Sequence, residues 1–158
     1  MKVLRLNQKD MDQIVQQAVA EYPDECCGLL TVDKDHLAST VHPCENIQNR
    51  LHKEDPKEFP RAARIAYFID PQEQFRIISN AERSGGEISG FYHSHIDCDA
   101  YFSEEDKERA MAWDEPAYPD AIYLVLSVFD DGVRGHKAFA WDVDARNYLT
   151  VPVEVIGK

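Results

Sequence analysis

An α+β fold, a single domain with a mixed β-sheet flanked by two or three helices, is what this 158-residue sequence predicts. Three observations predict it. Apolar runs of strand length interleave with helical patterns, without a strict strand–helix repeat. The length suits one core that needs no staples. A hydrophobic share of 44% with 29% charged residues is ordinary for a globular chain and too apolar for disorder. One domain over residues 1–158 is expected, with no repeat, linker or low-complexity tract.

The elements follow in order along the chain. Asn7 to Glu21 reads as a helix: Asn7 caps it, Met11, Ile14, Val15 and Ala18 share a face, and Pro23 stops it. Cys26 to Val32 is a short apolar run, expected as a buried strand, and Ala38 to Asn46 as a second. Gln48 to Pro60 is polar and reads as an exposed, mobile loop. Ile65 to Ile69 reads as a strand. Asp70 then caps a helix with Pro71 at its first position, carrying Phe75, Ile78 and Ala81 and ending at Gly85-Gly86. Glu87 to Ser94 reads as a strand. Ser103 to Trp113 is predicted as a helix, its start shaped like a capping box through Asp106. Ala121 to Phe129 is apolar enough for a central strand. Asp131-Gly132 marks a hairpin to Lys137–Val143, and Tyr148 to Val155 alternates as a last strand.

Lys and Arg total 17 against 29 Asp and Glu, a net charge of −12. That sign argues against nucleic acid or an anionic membrane as partner. The longest apolar stretch, Ala121 to Phe129, contains Ser127 and is too short to cross a bilayer. The first residues show no apolar signal core, so a cytoplasmic location and reduced thiols are expected. Cys26, Cys27, Cys44 and Cys98 form no Cys-x-x-Cys pair. Cys26 and Cys27 read as small core residues and Cys98 as a surface thiol.

The chemistry concentrates between Gly90 and Asp106. His93 and His95 stand two apart at a strand end, so both imidazoles reach the same side and one metal ion. Six histidines in 158 residues make about 0.2 such pairs by chance, so the pair alone decides nothing. Asp106, in the first turn of the next helix, supplies a third ligand if the loop folds back. Two His and a carboxylate leave zinc an open position, the mark of a catalytic rather than a structural site. Peptide hydrolysis then needs a base and an oxyanion donor. Glu25, at the start of a buried strand, is the candidate base, and Ser103 the candidate donor. Each has a bland reading: Glu25 as a solvated residue after a turn, Ser103 and Asp106 as a helix cap. His42, His52 and His136 have no partner at ligand spacing and read as structural or solvent-exposed.

Taken together, Glu25, His93-Ser94-His95, seven intervening residues and Ser103-x-x-Asp106 resemble the signature of the JAMM (MPN-type) zinc metalloprotease family. The resemblance implies zinc on His93, His95 and Asp106, Glu25 as general base on its water, and Ser103 stabilising the tetrahedral intermediate. It reaches across most of the chain, through EYPDECCGLL, Phe68-Ile69-Asp70-Pro71 and Tyr118-Pro119-Asp120-Ala121, which look like the small bacterial members. The implied fold is a curved mixed sheet, cytidine-deaminase-like, with zinc at its edge. Two prolines usual in the family are absent: Ile96 follows the second His and Phe102 precedes Ser103. Their loss is expected to make the loop between the ligands more mobile. The chain also lacks the long insertion with which deubiquitinating members recognise a ubiquitin linkage.

By that resemblance the substrate is a ubiquitin-like sulfur-carrier protein, cleaved after its C-terminal Gly-Gly as the tail lies extended beside the zinc. A non-catalytic scaffold of the same fold is the runner-up, against which all five filled positions weigh. A zinc deaminase would need His-x-Glu and Pro-Cys-x-x-Cys, which do not occur. A cysteine protease built on Cys26 or Cys27 remains open on inventory alone. The metal and thiol readings separate in one assay: peptidase activity is expected to vanish with a chelator and survive thiol alkylation, and the reverse pattern would transfer the chemistry to a cysteine.

Overall fold

The computed structural model describes residues 2–157. A six-stranded sheet forms its centre, built from β2 (Cys27–Val32), β3 (Ser39–Cys44), β4 (Glu87–Ile96), β7 (Ile122–Phe129), β8 (Gly132–Asp142) and β9 (Asn147–Val151). The strand order is β3-β2-β4-β7-β8-β9. Only β4 and β7 run parallel; the other pairs are antiparallel. The apolar run expected at the centre is there: β7 lies between β4 and β8, and seven of its eight residues are buried.

The sheet separates two cores because successive residues of a strand point to opposite faces. Leu124, Leu126 and Val128 of β7 join Tyr92 and Leu30 on one face, against Met11, Ile14 and Ala18 of α1 (Gln8–Glu21). Tyr123 and Val125 point the other way, joining Phe91, Leu29 and Phe139. Ile77 of α3 (Pro71–Arg83) and Ala110 of α4 (Glu104–Ala110) pack on that second face. The expected caps are in place. Asn7 accepts from the Asp10 N–H, and Asp70 from the Gln72 N–H with Pro71 in the first turn. Gly85, with φ of +87°, follows the end of α3.

Several elements depart from expectation, each for a physical reason. The polar stretch after Ile47 opens as a helix, α2 (Gln48–Glu54), not a loop. Its start is fixed from outside the segment: the Gln48 N–H donates to the Asn46 side chain, and the Gln48 amide donates to the Arg61 carbonyl. Ile65 to Ile69 is no strand but an irregular stretch carrying one bridge, Asn46 to Ile69. The Asn46 side chain stands in for a ladder there, bonding the Ala66 carbonyl and the Phe68 N–H. Phe75 points outward, 73% exposed, and α3 is anchored by Ile77 instead. Helix α4 stops at Ala110, not Trp113, because Met111–Ala112 (β5) pairs with Glu115–Pro116 (β6) in a small hairpin. Strand β8 starts at Gly132, five residues before its expected start. The last predicted strand divides at Pro152, which has no N–H to give a ladder. Beyond it, β10 (Val153–Ile156) leaves the main sheet and pairs in parallel with β1 (Leu4–Asn7), which had no sequence signal. Among the described residues, four helices flank the sheet rather than two or three.

The Tyr92 side chain on β4 lies over Gly28, its cross-strand partner on β2. A Cβ at residue 28 would meet the Tyr92 ring, which is fully buried and has nowhere to move. Gly28→Ala is therefore expected to destabilise the fold by about 1–3 kcal/mol. The measurement is the urea midpoint, which should fall with an unchanged slope.

Candidate metal centre

Strand β4 carries His93 and His95 on the face it shares with Phe91, and buries both. The seven residues after His95 lead to the N-terminus of α4, where Ser103 is the cap. Its hydroxyl accepts from the Asp106 N–H at 3.0 Å, while Asp106 Oδ2 accepts from the Ser103 N–H at 3.0 Å. The capping box is real, and it aims Asp106 inward: the same Oδ2 lies 3.1 Å from His93 Nε2 and 3.2 Å from His95 Nε2. The two Nε2 atoms are 3.2 Å apart. The cap reading and the ligand reading thus describe one arrangement.

The triangle is nearly equilateral, and its shape is informative. Ligand atoms at about 2.0–2.1 Å from a tetrahedral zinc stand about 3.3 Å from each other. Hydrogen bonding satisfies such a triangle poorly, because each imidazole directs one nitrogen at the other as well as at the carboxylate. A cation at its apex would take all three lone pairs. The residues fit a zinc-type ion, and no other group of His, Cys, Asp and Glu among the described residues converges in this way.

Each ligand is held from behind. His95 Nδ1 lies 3.3 Å from the Asp99 carbonyl, and the Tyr101 ring meets the imidazole edge-on at 4.6 Å. Tyr67 stacks on His93 at 4.4 Å and 25°, closing the site on that side. His93 Nδ1 is buried with no hydrogen-bond partner, so the Tyr67 stacking and the Nε2 contacts alone orient this ring. Burial alone would raise the Asp106 pKa. The His93 charge, with hydrogen bonds from both imidazoles and the Ser103 N–H, outweighs burial and holds the carboxyl well below the usual range.

Glu25 is 5% exposed and lies near enough to Asp106 for their charges to interact. Its backbone is clamped on both sides: its N–H donates to the Ala63 carbonyl at 2.8 Å, and its carbonyl accepts from Asn46 at 2.8 Å. Burial, reinforced by the charges of Asp106 and Glu105, pushes its carboxyl up to about 9 against the pull of Arg61 and Arg109. Ser94, between the two histidines, points to the opposite face and accepts from the Cys26 N–H at 2.8 Å, fixing the residue after Glu25. Sequence reasoning missed Tyr67, Asn46 and the part played by Ser94. Only the middle position of His-Ser-His offered a local signal.

The remaining candidates stay outside the centre. His42 bonds Thr31 and His52 the Phe59 carbonyl, while His136 and Cys98 are exposed. All four cysteines are free thiols. Burial pushes the Cys26 thiol up to about 12 and Cys27 higher still, which leaves neither a nucleophile near neutral pH. Among the described residues no helix is long and apolar enough to cross a membrane.

A central mixed sheet with flanking helices in a single domain is the fold of a JAB/MPN domain. The chain matches the family of prokaryotic homologs of the JAB domain over residues 7–142 and belongs to it. It is 33% identical over 138 residues to a desampylase of Haloferax volcanii, a match spanning 87% of this chain and 84% of that protein. A desampylase of Pyrococcus furiosus is 28% identical over 99 residues, 63% of this chain and 61% of that protein. In fold, a protein from Desulfitobacterium hafniense solved in solution aligns with a TM-score of 0.69 at 21% identity, covering 99% of this chain and 94% of that one.

The raised Glu25 value has a consequence for the metal-free protein. Between the ordinary value of 4.5 and about 9 the folded state keeps a proton that the unfolded chain has released. Stability from this group is complete below 4.5 and is lost as pH rises towards 9. Asp106 works with the opposite sign, stabilising above its ordinary 3.8 and losing that contribution in acid. The Tm of EDTA-treated protein is expected to fall from pH 5 to pH 9, and Glu25→Gln to flatten that fall.

Proposed function

We propose that this protein is a zinc-dependent peptidase or isopeptidase. Its substrate is a ubiquitin-like sulfur-carrier protein, hydrolysed at the bond after the C-terminal Gly-Gly. The observation that carries the reading is the convergence of His93 Nε2, His95 Nε2 and Asp106 Oδ2 beside the buried Glu25. The desampylase relatives support a deconjugating activity on a protein-tagged substrate.

His93, His95 and Asp106 would hold the zinc, which when bound supplies Lewis-acid polarisation and a positive charge that offsets Asp106 and lowers the Glu25 pKa. Glu25 takes the proton of the attacking water and returns it to the leaving amine. Ser103 donates to the developing oxyanion: its oxygen already accepts from the Asp106 N–H, so its own hydrogen is free to be given. Tyr67 and Tyr101 flank the two imidazoles and keep bulk water from them.

The carrier's globular part would rest on residues 48–64. There Arg50, Lys53, Lys57, Arg61 and Arg64 are exposed against three acids, leaving 12 of the 17 cations and 26 of the 29 acids elsewhere. This locally basic stretch adjoins the centre through the Ala63–Glu25 hydrogen bond and suits an acidic protein surface.

Wild-type protein is expected to bind one zinc per chain by elemental analysis, and the His93→Ala/His95→Ala variant none. Glu25→Gln should keep the zinc and lose hydrolysis of a Gly-Gly-tailed carrier fusion; near-normal turnover would remove Glu25 from the role of base. Ser103→Ala is expected to lower kcat by about 10²–10³. It also removes a helix cap worth about 1 kcal/mol, visible as a lower Tm.

A further inference from the structure

The loop between His95 and Ser103 lacks the prolines that would stiffen it, yet its first residues are held at every turn. Asp97 adopts φ of +58°, the left-handed region that Asp and Asn tolerate better than most residues. Its N–H donates to the Val128 carbonyl at 2.9 Å. Its carboxylate takes two further bonds: the Tyr22 hydroxyl donates to Oδ1 at 2.8 Å, and the Arg64 guanidinium donates to Oδ2 at 2.8 Å. The next two carbonyls are also engaged, Cys98 by the Ser127 hydroxyl and Asp99 by His95 Nδ1.

These bonds join three distant pieces of chain. Tyr22 is the C-cap of α1. Arg64 follows Ala63, whose carbonyl accepts from the Glu25 N–H. Asp97 begins the turn whose Asp99 carbonyl meets His95. An exposed ion pair contributes little to stability by itself, and here the side chains are 55% and 37% exposed. Stability therefore does not account for the arrangement. What the bonds do connect is the Ala63–Arg64 stretch, whose Ala63 carbonyl holds the Glu25 N–H, with the turn whose Asp99 carbonyl meets His95.

We propose that Asp97 is a positioning residue: clamped by Tyr22 and Arg64, it holds the turn after β4 so that Glu25 and His95 keep the spacing the reaction needs. The proposal rests on the peptidase reading, but Asp97 touches neither the metal ligand atoms nor substrate. Groups bonded directly to a ligand, as the Asp99 carbonyl is to His95, are worth about 10–100-fold in activity or metal affinity, and Asp97, one step further back, is assigned the lower end of that range.

Three variants separate the clamp from the turn. Asp97→Gly keeps the left-handed conformation and loses both side-chain bonds. Asp97→Asn keeps the conformation and an acceptor for Tyr22 but loses the charge facing Arg64. Arg64→Ala removes an exposed side chain and leaves the turn intact. The first readout, on metal-free protein, is hydrogen exchange of the Glu25 amide, which reports the Ala63 bond without any catalysis. The second is kcat and KM on a short Gly-Gly peptide.

Asp97→Gly and Arg64→Ala are expected to speed Glu25 amide exchange about 10-fold and to lower kcat about 10-fold or more, with KM within about 2-fold and one zinc retained. Asp97→Asn should fall between them and wild type. The Arg64→Ala/Asp97→Gly double variant should be no worse than Asp97→Gly alone, because the two act as a unit. Wild-type exchange and kcat in Asp97→Gly would overturn the proposal and reduce Asp97 to a turn residue. Additive losses in the double variant would overturn it equally. Should the wild type cleave no Gly-Gly peptide, the peptidase reading fails alone, and the exchange experiment still decides the clamp.

Discussion

Three side-chain atoms, His93 Nε2, His95 Nε2 and Asp106 Oδ2, held about 3.2 Å apart in the protein interior, are the constraint on which the rest of this structure depends. Two imidazoles and an ionised carboxylate are costly to bury and are stable only with fixed partners. The fold supplies those partners from elements that are rigid for other reasons. His93 and His95 lie on β4, which is paired on both sides, with β2 and with β7. Asp106 lies in the first turn of α4, where its Oδ2 also accepts the Ser103 N–H of the capping box. The bond that starts the helix therefore also orients the carboxylate. Helix α4 is only seven residues long, so the cap matters to it more than propensity does.

The second acid makes the centre electrostatically unbalanced. Burial, with the charges of Asp106 and Glu105 added, pushes the Glu25 carboxyl up to about 9. One acid is thus forced to ionise and the other to stay neutral, the divergence expected of groups with separate tasks. Arg61 and Arg109 lie near enough to oppose the effect but pair with Glu105 instead. The imbalance is what a divalent cation would relieve. It costs stability in the metal-free protein and is carried by the dense packing on the same face of the sheet, notably the fully buried Leu29 and Val125.

Side chains outside the centre hold its parts in register. Asn46 bonds the Glu25 and Ala66 carbonyls together with the Gln48 and Phe68 N–H groups. One amide thereby locates Glu25, starts α2 and fixes the stretch carrying Tyr67. Ser94 does similar work between β4 and β2 through the Cys26 N–H. These are long-range bonds, some spanning more than sixty residues of sequence, and they replace regular ladder pairing where the chain passes the site. The Asp97 turn belongs with them, since it joins α1, the Ala63–Arg64 stretch and the loop after His95.

Much of this was readable in the sequence, because its causes are local. The period of two in β4 put both histidines on one face, the Ser103–Asp106 spacing marked a helix start, and the long apolar run of β7, broken only by Ser127, marked the middle of the sheet. Asn7, Asp70-Pro71 and Gly85 bounded helices through chemistry confined to a few residues. The inward direction of Asp106, the closeness of Glu25 to it and the stacking of Tyr67 on His93 were decided only in the folded chain. So were α2, the irregular path of residues 65–69 and the β1–β10 pairing. None of these carries a periodic signal, and each depends on partners remote in sequence: Asn46 for α2 and Tyr67, and Pro152 with β1 for the last strand. The sequence by itself determined which residues can do the chemistry. The tertiary structure decided how they meet, because distances between segments are set by packing and by long-range hydrogen bonds rather than by local propensity.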